Sequence, residues 1–324
     1  MKLSAYPPVQ RSVAFKLGIA AILGVLTFIA AYLAGFNGEI VSKILTSGAV
    51  DKAAPASGFL VPSLAMSLFV AGNYMLLVHC SEKTQTRLVW MELLVLFLAF
   101  FYSFDLKLSF IAVKLPFLLT QGVVTTLYVA LAAICIAFLL ALLGAVAKLS
   151  ENGIAVGVAS FYTSFFRGVP LLAQLFLIYL GLPQIGFVVD PVPAGIAALC
   201  LCYGAYMTEI FRAGIQSINA GQWEASAALG LTKALAFRKV IMPQAMRLII
   251  PPTGNSFIAM LKDSSLVSVV GVWDLMYVAR AQGRSEFRVL EMLITAALIY
   301  WILSIILELL QARLERYFDQ SKAR

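Results

Sequence analysis

Long apolar runs alternate with short polar segments along most of this chain. A helix needs roughly 20 mostly apolar residues to cross about 30 Å of hydrocarbon. About eight runs approach that length: residues 13–35, 59–80, 88–104, 117–147, 154–182, 192–215, 248–270 and 289–310. The fourth exceeds one crossing, which predicts tilt or an interfacial turn. The segment between the seventh and eighth is short and mixed, and defines no clear element. Residues 217–245 interrupt the pattern with a polar island whose spacing is ordered. Asn219 can cap a short helix, with Gln222 at its third position able to return the bond. Gly230 suits a left-handed turn, Thr232 can cap a second helix, and Pro243 is expected to end it. The island therefore predicts a helix-turn-helix elbow on one membrane face.

Composition agrees with this pattern. The chain is 61% hydrophobic and 12% charged, with a mean hydropathy of +0.93, too apolar for a soluble globule. The fold class is all-α and integral to a membrane. A net charge of +8 raises nucleic acid as a partner, but position explains it better. The N-terminus, residues 81–87, Lys148, the island and the C-terminus hold 14 of the 24 Lys and Arg. The positive-inside rule then places the island and both termini in the cytoplasm, with no nucleic acid required. The first run follows Lys2, Arg11 and Lys16, but it is too long for a signal peptide and no clear cleavage site follows, so it reads as a retained span. Lys43, Lys52 and Pro55 read as a solvated extracytoplasmic loop. Arg313, Arg316 and Lys322 are expected on the anionic cytoplasmic leaflet.

Candidate chemistry is sparse. Cys80, Cys135, Cys200 and Cys202 all lie in apolar segments, where thiols act as small hydrophobes. Cys200 and Cys202 point to different sides of one helix, so no metal site is expected. His79 is the only histidine, at a span end and without a nucleophile or acid to form a catalytic set. Ionisable groups inside spans are costly and tend to face a pathway or a partner. Here they are Arg167, Glu209, Arg212, Lys262 and Asp263. Glu209 and Arg212 can pair along one helix face. Helix breaks are expected at Gly168 and Pro170, and again near Pro251, Pro252 and Gly254, freeing backbone groups for a zwitterionic ligand. Asn255, Lys262, Asp263, Ser264 and Ser265 are expected to border a polar cavity among the spans, with Lys262 or nearby amides suited to a carboxylate.

Glu224-Ala225-Ser226, Gly230 and Val240-x-Met242-Pro243 resemble the Glu-Ala-Ala, Gly, Ile-x-Leu-Pro signature loop of ABC importer membrane subunits. Ser226, Val240 and Met242 are conservative departures. Phe166 to Gln174, Ala205 to Ser217, Pro252 to Phe257 and Leu261 to Leu266 resemble the polar amino-acid branch, whose members carry histidine, glutamate, glutamine, arginine or opines. The likeness covers about residues 115 to 320. It implies a type I importer permease with a five-helix core at 111–324, three additional helices at 1–110, and a coupling loop at 217–245. Trp223, Glu224, Ala225, Ser226, Gly230 and Pro243 would engage an ATPase. Arg167, Gln174, Glu209, Asn255, Lys262, Asp263, Ser264 and Ser265 would line the substrate pathway. The implied partners are a dimer of ABC ATPase subunits, an extracytoplasmic amino-acid-binding protein, a second permease subunit and membrane lipid, in a bacterial inner membrane. No Gly-x-x-x-x-Gly-Lys-Ser/Thr loop occurs here, so ATP, Mg and hydrolysis are expected on another chain, with no cofactor and no enzyme activity on this one. An ion-coupled secondary transporter is the alternative, and it would carry inverted repeats that are not evident.

Overall fold

The computed structural model describes residues 13–33, 60–102, 104 and 106–320. Both termini and the stretch holding Lys43, Lys52 and Pro55 lie outside the described residues. Among those described, every regular element is helical, and the backbone clusters into two units, Met1–Leu106 and Lys107–Arg324.

The first unit contains α1 (Val13–Leu33), α2 (Leu60–Leu77) and α3 (Glu82–Tyr102). Small residues let α1 and α2 approach closely. Ser67 Oγ donates to the Gly24 carbonyl at 2.8 Å. Asn73 Nδ2 donates to Glu92 Oε2 at 2.8 Å and ties α3 to α2.

The second unit begins with α4 (Leu108–Phe117), a π-helical turn (Leu118–Val123) and α5 (Val124–Leu149). Next come α6 (Gly153–Gly168), the short α7 (Leu171–Phe176) and the central α8 (Pro191–Gln216). The elbow holds α9 (Ala220–Ala228) and α10 (Lys233–Ala236). The chain then runs through a π turn (Phe237–Ile241) into α11 (Met242–Asp263), and a 3-10 stretch (Ser264–Val270) leads to α12 (Leu275–Ser285) and α13 (Val289–Gln320).

The core of this unit is the α5–α8 contact. Ala133, Ala137, Ala141 and Ala145 recur one helical turn apart and are fully buried, which lets the two backbones close together. Gly144 is the tightest point: a Cβ there would lie 2.6 Å from Thr208 Oγ1. Phe211 adds an edge-on contact with Phe138, at 5.0 Å between ring centres. As a result α8 is 67% buried within the chain, far more than a helix packed on one side.

Among the described residues five helical stretches are long and apolar enough to cross a membrane, or up to seven when each of two bent pairs counts as one span, against the eight expected. The third expected span corresponds to α3, which carries Glu82, Lys83, Arg87 and Glu92 and is not among them. The fifth bends by 107° between Gly153–Gly168 and Leu171–Ile185, at the break expected around Gly168 and Pro170. The expectation for the prolines after the elbow needs correction. Pro243 follows a π turn that runs directly into α11, so it does not end the coil. Pro251 and Pro252 are inside the same helix without ending it. Cys200 and Cys202 are both buried, because the helix that carries them is packed on several sides.

Candidate functional site

The elbow is built from its caps. Asn219 Oδ1 accepts the Gly221 N–H at 2.8 Å and starts α9. Gln222 does not complete a capping box. Its Oε1 accepts from Gln244 Nε2 at 3.0 Å instead, which ties α9 to α11. At the far end Gly230 has φ +72°, a conformation that costs other residues a clash of Cβ with the backbone. Gly230 N–H bonds the Ala227 carbonyl at 2.9 Å, and Leu231 N–H bonds the Ser226 carbonyl at 3.1 Å, the paired bonds of a Schellman ending. Thr232 Oγ1 then accepts the Leu235 N–H at 3.3 Å and starts α10.

These caps sort the predicted coupling residues onto two faces. Glu224 and Ala225 are exposed, as are Ala227, Ala228 and Leu229. Trp223 and Ser226 face inward. Trp223 stacks on Phe237 of the following turn, with ring centres 6.5 Å apart and 25° between planes, and Ser226 is 2% exposed with its hydroxyl on the Gln222 carbonyl. They brace the elbow from beneath, whereas the reading from sequence placed them at its contact surface. Leu229, immediately before Gly230, is 79% exposed.

A groove of about 890 Å³ opens where the α6–α7 bend, α8 and α11 meet. Gln174 makes the bend possible. Its Nε2 donates to the Phe166 carbonyl at 2.9 Å and to the Val169 carbonyl at 2.8 Å, groups the broken helix leaves without partners. Gln174 is thus a buried support and does not line the groove. Arg167, Glu209, Asn255 and Asp263 do line it. Ser264 does not: it is fully buried, with its hydroxyl on the Leu261 carbonyl. Lys262 and Ser265 also lie off the groove wall, on other faces of the helical turn that carries Asp263. The cation in the groove is therefore Arg167, and Lys262 is not in the position assigned to it.

Two charged centres occupy the groove. At one, Tyr203 Oη donates to Asp263 Oδ2 at 2.7 Å. At the other, Glu209 accepts from Arg212 Nε at 2.8 Å and from Lys148 Nζ, with Arg167 Nη1 at 3.9 Å. Lys148 also donates to Thr163 Oγ1 at 2.9 Å, and the Arg167 guanidinium lies over the Tyr206 ring at 5.4 Å. Local spacing foretold the Glu209–Arg212 pair alone. Lys148 reads in sequence as a charge at a helix end, and only the α5–α8 packing brings it to a residue 61 positions away. Tyr203 and Tyr206 were likewise indistinguishable from the chain's other aromatics. Among the described residues no cluster of His, Cys, Asp and Glu is arranged to hold a metal ion.

Residues 138–320 match the family described as the binding-protein-dependent transport system inner membrane component. The chain is 39% identical over 204 residues to the arginine transport system permease protein ArtQ of Bacillus subtilis (strain 168), covering 63% of this chain and 93% of that protein. It is also 39% identical over 208 residues to the L-cystine transport system permease protein TcyB of the same organism, covering 64% and 89%. Among solved structures, an amino acid ABC transporter with histidines aligns at a TM-score of 0.60 and 41% identity, covering 64% of this chain and 96% of that one. An inward-facing MetNI methionine ABC transporter aligns at 0.55 with 21% identity, over 62% and 96%, a likeness of fold. Taken with the groove and the elbow, these matches show that the chain belongs to the family of inner membrane components of binding-protein-dependent transport systems.

Proposed function

We propose that this permease moves polar amino acids inward along the groove between the α6–α7 bend, α8 and α11, driven by ATP hydrolysed on a separate subunit seated against the elbow. The chain is a transmembrane permease subunit of an ABC importer. The observation that carries the proposal is a continuity of backbone. The exposed face of the elbow leads through α10 and the π turn into α11, and α11 supplies Asn255 and Asp263 to the groove. A contact at the elbow therefore bears directly on the groove wall.

The groove's chemistry supports a zwitterionic cargo. Asp263 can meet an ammonium and Arg167 a carboxylate, and both line one cavity. Names among the relatives fit that class: arginine, L-cystine and glutamine. In this reading Glu224, Ala225, Ala228 and Leu229 touch an ABC ATPase dimer that holds ATP and Mg. The elbow and both termini are cytoplasmic, in a bacterial inner membrane, and an extracytoplasmic binding protein delivers the cargo. A second permease subunit, identical or paralogous, completes the path, because one such core half-encloses a route.

The test is uptake by liposomes holding the purified complex. Labelled amino acid should enter only with the ATPase subunit, internal ATP and the external binding protein all present. Uptake by the chain alone, driven by an ion gradient, would overturn the proposal in favour of a secondary transporter.

A further inference from the structure

The helix at the end of the core opposite the elbow carries a surface that the transport pathway does not use. α11 has 22 residues and spans about 33 Å at 1.5 Å per residue, so the elbow and α12 lie at opposite ends of that helix. α12 is strongly two-sided. Leu275, Val278, Ala279 and Gly283 are buried against the core. Tyr277, Arg280 and Arg284 line a separate recess of about 350 Å³ on its other side. Nearby cations are neutralised within the chain: Lys114 pairs with Glu286 at 3.2 Å and Arg288 with Glu291. Arg280 and Arg284 make no ion pair among the described residues. Arg280 donates to the Ser268 hydroxyl at 2.7 Å, and Asp274, within electrostatic reach of Arg280, is engaged by the Tyr277 and Met276 amides and by Tyr300. Arg284 has no ion-pair partner among the described residues.

A second observation comes from the corner that follows. Phe287 has φ +56° and is 97% exposed. A bulky residue held in the left-handed region is strained, and such strain marks sites where function keeps it. The corner is tight: Arg288 N–H bonds the Gly283 carbonyl at 2.7 Å, and a Cβ on Gly283 would lie 2.6 Å from Val289 Cα. Trp273, half-exposed, stacks on Tyr277 at 5.7 Å. Unpaired arginines beside exposed aromatics have the composition of a protein-binding hot spot. Retained cations on the outer face also run against the bias that gathers Lys and Arg inside.

We infer that Arg280, Arg284 and Phe287 form the docking face for an acidic surface of the extracytoplasmic binding protein. Partner carboxylates meet the two guanidinium groups, and Phe287 enters an apolar recess between them. The occupant is argued from charge, from the family's dependence on a binding protein, and from the position of α12 across from the elbow. The inference rests on the transport reading above.

The experiment uses the complete complex in nanodiscs and titrates it with its substrate-loaded binding protein while ATP hydrolysis is followed. Among the described residues the Arg284 side chain makes no ion pair and it lies in the last turn of α12, so Arg284→Glu, with Arg284→Gln as the milder control, tests the face with little change to the packing. It should raise the half-stimulating concentration about tenfold, and Phe287→Ala should raise it less. Raising salt from about 0.05 to about 0.3 M should weaken stimulation of the wild type more than of Arg284→Glu. Equal half-stimulating concentrations for wild type and Arg284→Glu would overturn the docking face alone. An Arg284→Glu effect that appears only in discs with anionic lipid would assign the arginine to a lipid headgroup and also overturn it. A wild-type complex that the binding protein fails to stimulate would overturn the transport reading instead.

Discussion

Replacing Glu209 by Gln should destabilise the permease more than any exposed charge removal, because one carboxylate holds three cations from three helices. Lys148 and Glu209 are 16% and 19% exposed as side chains, whereas Arg212 and Arg167 are 34% and 44% exposed. The two arginines can turn toward water, and their share is discounted for solvent screening. Lys148 has less freedom: its Nζ is held between Glu209 and Thr163. Breaking a buried pair by removing one partner costs about 3–5 kcal/mol, and the partial exposure here lowers the expectation to about 2–3 kcal/mol. The assay is a double-mutant cycle with Lys148→Met, read by unfolding titrations in mixed micelles. Glu209→Gln should lose about 2–3 kcal/mol. The double variant should be more stable than the sum of the single losses by about 1–2 kcal/mol, since it leaves no stranded ammonium. Simple additivity, or a Glu209→Gln variant as stable as the wild type, would refute the view that this cluster fastens α5, α6 and α8.

Gly144→Ala should cost about 1–3 kcal/mol through overpacking against Thr208, and Thr208→Ala in the same chain should recover part of it in the same titration. Gly230→Ala should cost about 1 kcal/mol from its left-handed φ and lower ATP-driven uptake by loosening the end of α9, with unchanged membrane insertion as the control. Asp263→Asn should reduce uptake of a zwitterionic amino acid while Lys262→Met leaves it near wild type, and the reverse order in a liposome assay would show the groove wall to be wrongly assigned. Glu224→Lys should still insert and assemble but lose coupling between hydrolysis and uptake, and wild-type uptake would count against elbow docking.

Sequence made the elbow legible because its determinants are local. Asn219, Gly230 and Thr232 act within three residues of themselves, and each makes the bond its type foretells. The α6–α7 bend was visible for the same reason, through Gly168 and Pro170. The prolines of α11 misled because a proline is read as a helix end from what it does to its own strand of hydrogen bonds. At Pro243 the π turn Phe237–Ile241 leads directly into α11 and the coil continues through the ring. Pro251 and Pro252 lie inside α11, which continues to Asp263, and Gln311 of α13 fastens this stretch through bonds of 3.0 Å from its Nε2 to the Pro251 carbonyl and to Asn255 Oδ1. The groove was only half legible because helix phase decides which residues reach it. Asp263 faces in while adjacent Lys262 and Ser264 do not, and a shift of one residue, about 100° around the axis, separates them. Lys148, Tyr203 and Tyr206 escaped notice because their roles depend on partners brought close by packing.

The prolines that fail to interrupt the chain after the elbow also decide how a push there is felt. From Lys233 to Asp263 the main chain coils without an intervening loop, so the segment behaves as a tie rod with little slack. A subunit that tugs its inner end displaces the acid at the far end by a comparable amount, whereas a flexible joint would absorb the stroke before any cargo sensed it.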